Sequence, residues 1–215
     1  MKILSSVFFA ALFVTMLLAG CAADSSEKPS TEKVNETIKA AAANEYVAID
    51  QSPLDIAYFP ADYSQHKLTD LSYTAMPVAR VIYSRPHRKG RPIFGKEDNN
   101  ICPYGKPWRL GANEATEIEF FKPVVISGKN IAAGKYVMYA IPYADKWIIV
   151  LNTNLFSWGL QIDAGKDVVR TEVPVQEQKP VLEDFTMEFM PASMGAYLLM
   201  AWDNVKVMLP ITFTI

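Results

Sequence analysis

From Val205 to Ile215 the chain sets Val205, Val207, Leu209, Ile211, Phe213 and Ile215 at every second position, with Lys206, Met208, Pro210, Thr212 and Thr214 between them. Successive strand residues point to opposite faces, so this spacing makes one face apolar and forces it against a second layer. Pro210 cannot donate to a ladder and predicts an edge position. The same period joins Phe185, Met187 and Phe189 across Thr186 and Glu188, and Ile118 and Phe120 across Glu117 and Glu119. Residues 78–84, 135–142, 147–151, 168–175 and 196–202 read as further strands. Turn chemistry separates them at Ser127-Gly128-Lys129, Ala133-Gly134, Tyr143-Ala144-Asp145-Lys146 and Asp163-Ala164-Gly165-Lys166. Many short strands without a long amphipathic helix predict an all-β single domain, a β-sandwich or jelly-roll-like barrel, over residues 46–215. Trp147, Trp158 and Trp202 are expected in its core. The chain is 50% apolar, enough to fill one.

The first residues carry an address. Lys2 precedes an uncharged stretch from Ile3 to Leu18, which ends in Leu18-Ala19-Gly20-Cys21. Small residues before the cysteine suit a cleavage site, and no basic cluster follows to stop transfer. Leu-Ala-Gly-Cys resembles the lipobox of bacterial lipoproteins, which implies removal of residues 1–20 and acylation of Cys21. More than one acyl chain there gives a durable membrane anchor, where a single chain is marginal. Residues 21–45 are small and polar and bury too little to fold alone. As a flexible tether they span about 25 Å. The expected place is the cell envelope, at the outer membrane in a diderm, with the domain outside the cytoplasm. Lipid on Cys21 leaves Cys102 without a partner, and that thiol reads as a small buried hydrophobe.

Charge is unevenly spread. Between positions 80 and 109 stand Arg80, Arg85, Arg88, Lys89, Arg91, Lys96, Lys106 and Arg109 against Glu97 and Asp98, a local +6. The chain as a whole is −2, which argues against a nucleic-acid binder. The segment is rich in Gly and Pro, hence loop-like, and loops on a rigid scaffold are where ligands commonly bind. Guanidinium forks match carboxylates and phosphates, and aromatic faces take sugars or cations. The candidate ligand-binding set is therefore Arg85, Lys89, Arg91, Lys106 and Arg109 for charge, Tyr104 and Trp108 for stacking, and Asn113 and Glu114 for orientation. The competing expectation is bracing, with Arg85, Arg91 or Arg109 paired to Glu114 and to loop carbonyls.

Two stretches, Tyr-Ser-Arg-Pro-x-x-Lys-Gly-Arg-x-Ile-Phe-Gly at 83–95 and Pro-Tyr-Gly-Lys-x-Trp-Arg-x-Gly-Ala-Asn-Glu-Ala-Thr at 103–116, resemble an uncharacterised family of exported bacterial proteins, the domain of unknown function family twenty-nine-eleven. Gly128-Lys129, Ala133-Gly134-Lys135-Tyr136, Trp147, Trp158-Gly159 and the Trp202 strand continue the resemblance over about residues 60–215. It implies an envelope or secreted β-domain and no particular activity. Cys102 stands where the family usually has an aliphatic residue, which speaks against a catalytic thiol.

Chemistry-bearing motifs are otherwise missing. The sequence has no phosphate-binding glycine loop, no His-Glu-x-x-His and no Gly-x-Ser-x-Gly. His66 and His87 are its only histidines, and their spacing supports no metal site. Ser84 with His87 lacks an orienting third group. No cofactor or metal is expected. The leading expectation is a non-enzymatic binding or envelope-structural module for an anionic or glycan-like ligand. The alternative is a hydrolase or lyase on an envelope polymer, with Glu114 as acid or base.

Overall fold

A computed structural model describes residues 48–213, so the signal segment, Cys21 and the tether lie outside the described residues. The elements run β1 (Leu54–Phe59), a short helix α1 (Tyr63–Thr69), β2 (Ala79–Ser84), β3 (Phe94–Gly95), β4 (Cys102–Pro103), β5 (Thr116–Phe120), β6 (Val124–Ile126), β7 (Lys129–Ile131), β8 (Gly134–Pro142), β9 (Lys146–Asn152), β10 (Asp167–Pro174), β11 (Gln176–Ala192) and β12 (Gly195–Phe213). Six strands form one antiparallel sheet in the order β1-β2-β5-β8-β9-β10. A second antiparallel sheet is ordered β11-β12-β6-β7. The domain is all-β and sandwich-like, with the parallel pair β3-β4 as a small annex.

Alternation in the sequence becomes the core directly. Ala79, Val81 and Tyr83 of β2, Ile118 and Phe120 of β5, and Phe185, Met187 and Phe189 of β11 are all buried. On β12 the large buried side chains are Leu198, Met200 and Trp202, then Val207, Leu209 and Ile211, with Ala196 and Ala201 buried among the first group. The parity flips between them. Asp203, at φ 55°, sits where the register against β11 shifts, with five steps of β11 set against two of β12 between the Leu182–Asp203 and Glu177–Val205 pairs. The two apolar stripes that the sequence shows separately are thus one bent strand.

β12 is an inner strand, which corrects the edge position expected from Pro210. The proline is tolerated because it falls between Lys206, registered against β11, and Thr212, registered against β6. The turn between β6 and β7 is the two-residue Ser127-Gly128, with φ 50° and 74°, the left-handed pair that a tight hairpin requires.

The tryptophans separate by position. Trp147 and Trp202 are fully buried as expected. Trp158 is 60% exposed, which corrects its assignment to the core. It lies on the connection between β9 and β10, which carries no ladder to pull it inward. Trp108 takes the core position instead. Its ring stacks on Trp202 at 5.9 Å and 22°, and meets Trp147 and Phe185 edge-on at 5.6 and 4.9 Å. Its Nε1 donates to the Gly111 carbonyl at 3.1 Å, so the one polar group of the ring is satisfied inside.

Candidate functional site

The basic segment is anchored at one end of the sandwich. After β2 the chain crosses to the other sheet, where Arg88 N donates to Glu183 O at 2.7 Å and Phe185 N to Pro86 O at 3.1 Å. Farther on, Trp108 and Ala140 exchange backbone bonds of 2.7 and 2.8 Å, so residue 108 extends the sheet beside β8 where β5 has not yet begun. Gly111 then presses on β2. A Cβ there would lie 2.8 Å from the Ser84 carbonyl oxygen, and φ is 151°, so only glycine fits.

Half of the eight basic side chains lie against carboxylates, three of them from distant parts of the sequence. Arg80 reaches Glu119 at 2.7 Å, Arg85 reaches Asp55 at 3.1 Å, and Lys106 reaches Asp98 at 2.7 Å. Arg88 Nε lies 3.0 Å from Asp203 Oδ1, close but without hydrogen-bond alignment. Arg85 also donates to the Phe185 carbonyl and to the Thr186 hydroxyl. Lys89 is held through its backbone N–H to Glu183 and through Nζ to Gln51. His87 contacts Asp184.

Arg91 and Arg109 are different. Arg91 donates to the carbonyls of Arg88 and His87. Arg109 Nη1 donates to the Asn113 carbonyl at 2.6 Å and to the Trp158 carbonyl at 3.2 Å. Among the described residues neither guanidinium has a carboxylate within ion-pair distance. Both line one concavity of about 270 Å³, with Ile101, Leu160 and the margins of Trp108 and Trp202 as its apolar part. Partial burial lowers the Arg109 pKa from its ordinary value, the mark of a desolvated cation without a counter-charge.

The rest of the sequence-derived set disperses. Glu114 is exposed, meets neither Arg109 nor Arg91, and lines a separate cleft. The expected Arg–Glu114 pairing is therefore corrected: Asn113, at φ 59°, turns the backbone so that its carbonyl, not the next carboxylate, faces Arg109. Asn113 points its amide to Asp50 and to the Ser52 carbonyl. Trp108 offers no open face, which corrects its stacking role. Tyr104 is half-buried on the loop after β4. Cys102 is buried, and desolvation pushes its thiol well above the ordinary value, which disfavours the nucleophilic thiolate. Ser84 is buried, with its hydroxyl unpartnered.

Two residues outside the sequence-derived set complete the picture. Leu160 belongs to the concavity, and Gly159 packs on the Arg109 Cβ and on Ala115, where a Cβ would clash at 2.9 and 3.1 Å. In the sequence their only signal is the alternation of Phe156, Trp158 and Leu160, and the structure shows all three exposed on the connection between β9 and β10.

No curated protein and no solved structure matches the chain. One family model does, over residues 66–211, a span that takes in both arginine-bearing motifs and every strand from β2 to β11. The chain therefore belongs to the family described as protein of unknown function, DUF2911.

Proposed function

We propose that this protein is a lipid-anchored envelope module that binds a small organic anion between Arg91 and Arg109. One observation carries the reading: two guanidiniums without carboxylate partners share a single concavity, whereas Arg80, Arg85 and Lys106 around them are neutralised. A carboxylate or phosphate entering there supplies the missing counter-charge through charge-assisted bonds, and Ile101 and Leu160 receive an apolar substituent. The Leu18-Ala19-Gly20-Cys21 sequence supports the anchor, and the chain from residue 46 stands beyond it as the binding domain.

The test is calorimetric titration of the full chain in detergent with acetate, benzoate, phenylacetate, succinate and inorganic phosphate. Saturable binding of an apolar carboxylate, weakened about tenfold in Arg91→Gln, is expected. Absence of saturable binding across the panel, or binding indifferent to Arg91, overturns the reading. Intact-mass measurement of the native protein tests the anchor separately: an unmodified Cys21 removes it.

A further inference from the structure

A second cleft lies on the outer face of the six-stranded sheet, apart from the arginine concavity. It holds about 420 Å³ between Leu54, Ile82, Glu114, Glu117, Phe156 and Trp158. Phe156 is 97% exposed and Trp158 60%, two large rings on one connection that gain nothing from the core. Phe156 also keeps a φ of 60°, a costly backbone state for a bulky side chain. The connection is nevertheless fixed, because Arg109 bonds the Trp158 carbonyl and Gly159 packs against Ala115.

The two carboxylates in the cleft have no basic side chain within ion-pair distance among the described residues. Arg80 and Lys135 share a neighbouring hollow with Glu117, yet the Arg80 guanidinium is committed to Glu119 at 2.7 Å and Lys135 lies beyond ion-pair distance of either carboxylate. Glu114 and Glu117 thus face a volume walled by aromatic rings and floored by Leu54 and Ile82.

We propose that this cleft binds an organic ammonium ion, with its cationic head between the Glu114 and Glu117 carboxylates and the Phe156 and Trp158 rings. Ring faces attract cations through their quadrupole, most strongly for Trp and for cations stripped of water. Alkyl groups on the nitrogen lie on the apolar floor. A neutral sugar also stacks on such rings, but it gains nothing from two carboxylates without an ion-pair partner, which is why the cation is favoured. The proposal is independent of the anion reading, since it uses neither Arg91 nor the concavity around it.

The probe is choline, titrated into the full chain in detergent beside its uncharged isostere 3,3-dimethylbutan-1-ol, with binding read by saturation-transfer NMR. Saturable choline binding is expected, about tenfold or more tighter than the isostere. Trp158→Ala and Glu117→Gln each weaken it about fivefold or more, while Arg91→Gln leaves it unchanged. Trp158 and Arg91 are exposed and Glu117 is half-buried on the outer face of β5, and unchanged melting of the variants separates lost binding from lost folding. Equal affinity for the isostere, choline binding indifferent to Trp158→Ala, or no saturable choline signal each overturns the proposal. So does binding of N-acetylglucosamine that survives Glu114→Gln and Glu117→Gln, which reassigns the cleft to a neutral sugar.

Discussion

Replacing Arg109 by Met separates bracing from binding. Met keeps the length and apolar stem of the side chain and deletes only the guanidinium. What is lost is a bond of 2.6 Å to the Asn113 carbonyl in a partly buried setting and one of 3.2 Å to the Trp158 carbonyl at the surface. A hydrogen bond to a charged group contributes about 1.5–3 kcal/mol when shielded and well under 1 kcal/mol when exposed. Relief of the desolvated charge returns part of this, which leaves a net loss of about 2 kcal/mol. For a domain of this size the melting temperature should fall by roughly 5 °C. Arg91→Met removes only contacts to carbonyls of its own turn in an exposed setting, and should shift melting by less than about 2 °C. Both variants should lose anion affinity about tenfold, since both guanidiniums line one concavity. Differential scanning fluorimetry and calorimetric titration on the same samples give the two readouts. An Arg109→Met protein that melts within 1 °C of the parent, or an Arg91→Met protein with full anion affinity, refutes the reasoning.

Other consequences are open to direct measurement. Gly111→Ala places a Cβ 2.8 Å from the Ser84 carbonyl oxygen at a φ of 151°, and should cost about 2 kcal/mol or more in urea unfolding; an unchanged midpoint contradicts the close approach. Tyr83 and Tyr139 are each pushed from 10.0 up to about 12, chiefly by burial. The unfolded chain then releases these protons first, so stability held below pH 10 should decline between about pH 10 and 12. Tyr83→Phe should flatten that decline, and an equally steep decline in the variant would contradict it. Cys102 should resist iodoacetamide until the protein unfolds, with modification mapped by mass spectrometry; rapid native labelling would contradict its burial. Cys21→Ala should move the protein from the membrane pellet to the soluble fraction, and persistence in the pellet counts against lipid anchoring.

Much of the fold was legible because period-two alternation records which face is buried. Residues 135–142 and 147–151 read as strands and are β8 and β9, joined at the predicted turn. β1 and α1 went unread, since Leu54 and Ile56 lie on the outer face and α1 buries nothing, so neither shows a core-facing stripe. The sequence also shows one dense basic segment but not how it divides. Arg85 finds Asp55 thirty residues upstream, and Arg88 nears Asp203 more than a hundred residues downstream.

Alternation, turn residues and composition are local properties, and by themselves they determined an all-β domain with a basic, glycine- and proline-rich loop cluster. Which tryptophan is core and which is surface, and which arginine is neutralised and which is left without a counter-charge, depends on what the chain brings to each side chain from far along its length. Trp108 entered the core because it pairs with Ala140 and stacks on Trp202, while Trp158 stayed outside on an unpaired connection. Arg91 and Arg109 were singled out for the same reason: packing delivered carboxylates to their neighbours and only carbonyls to them.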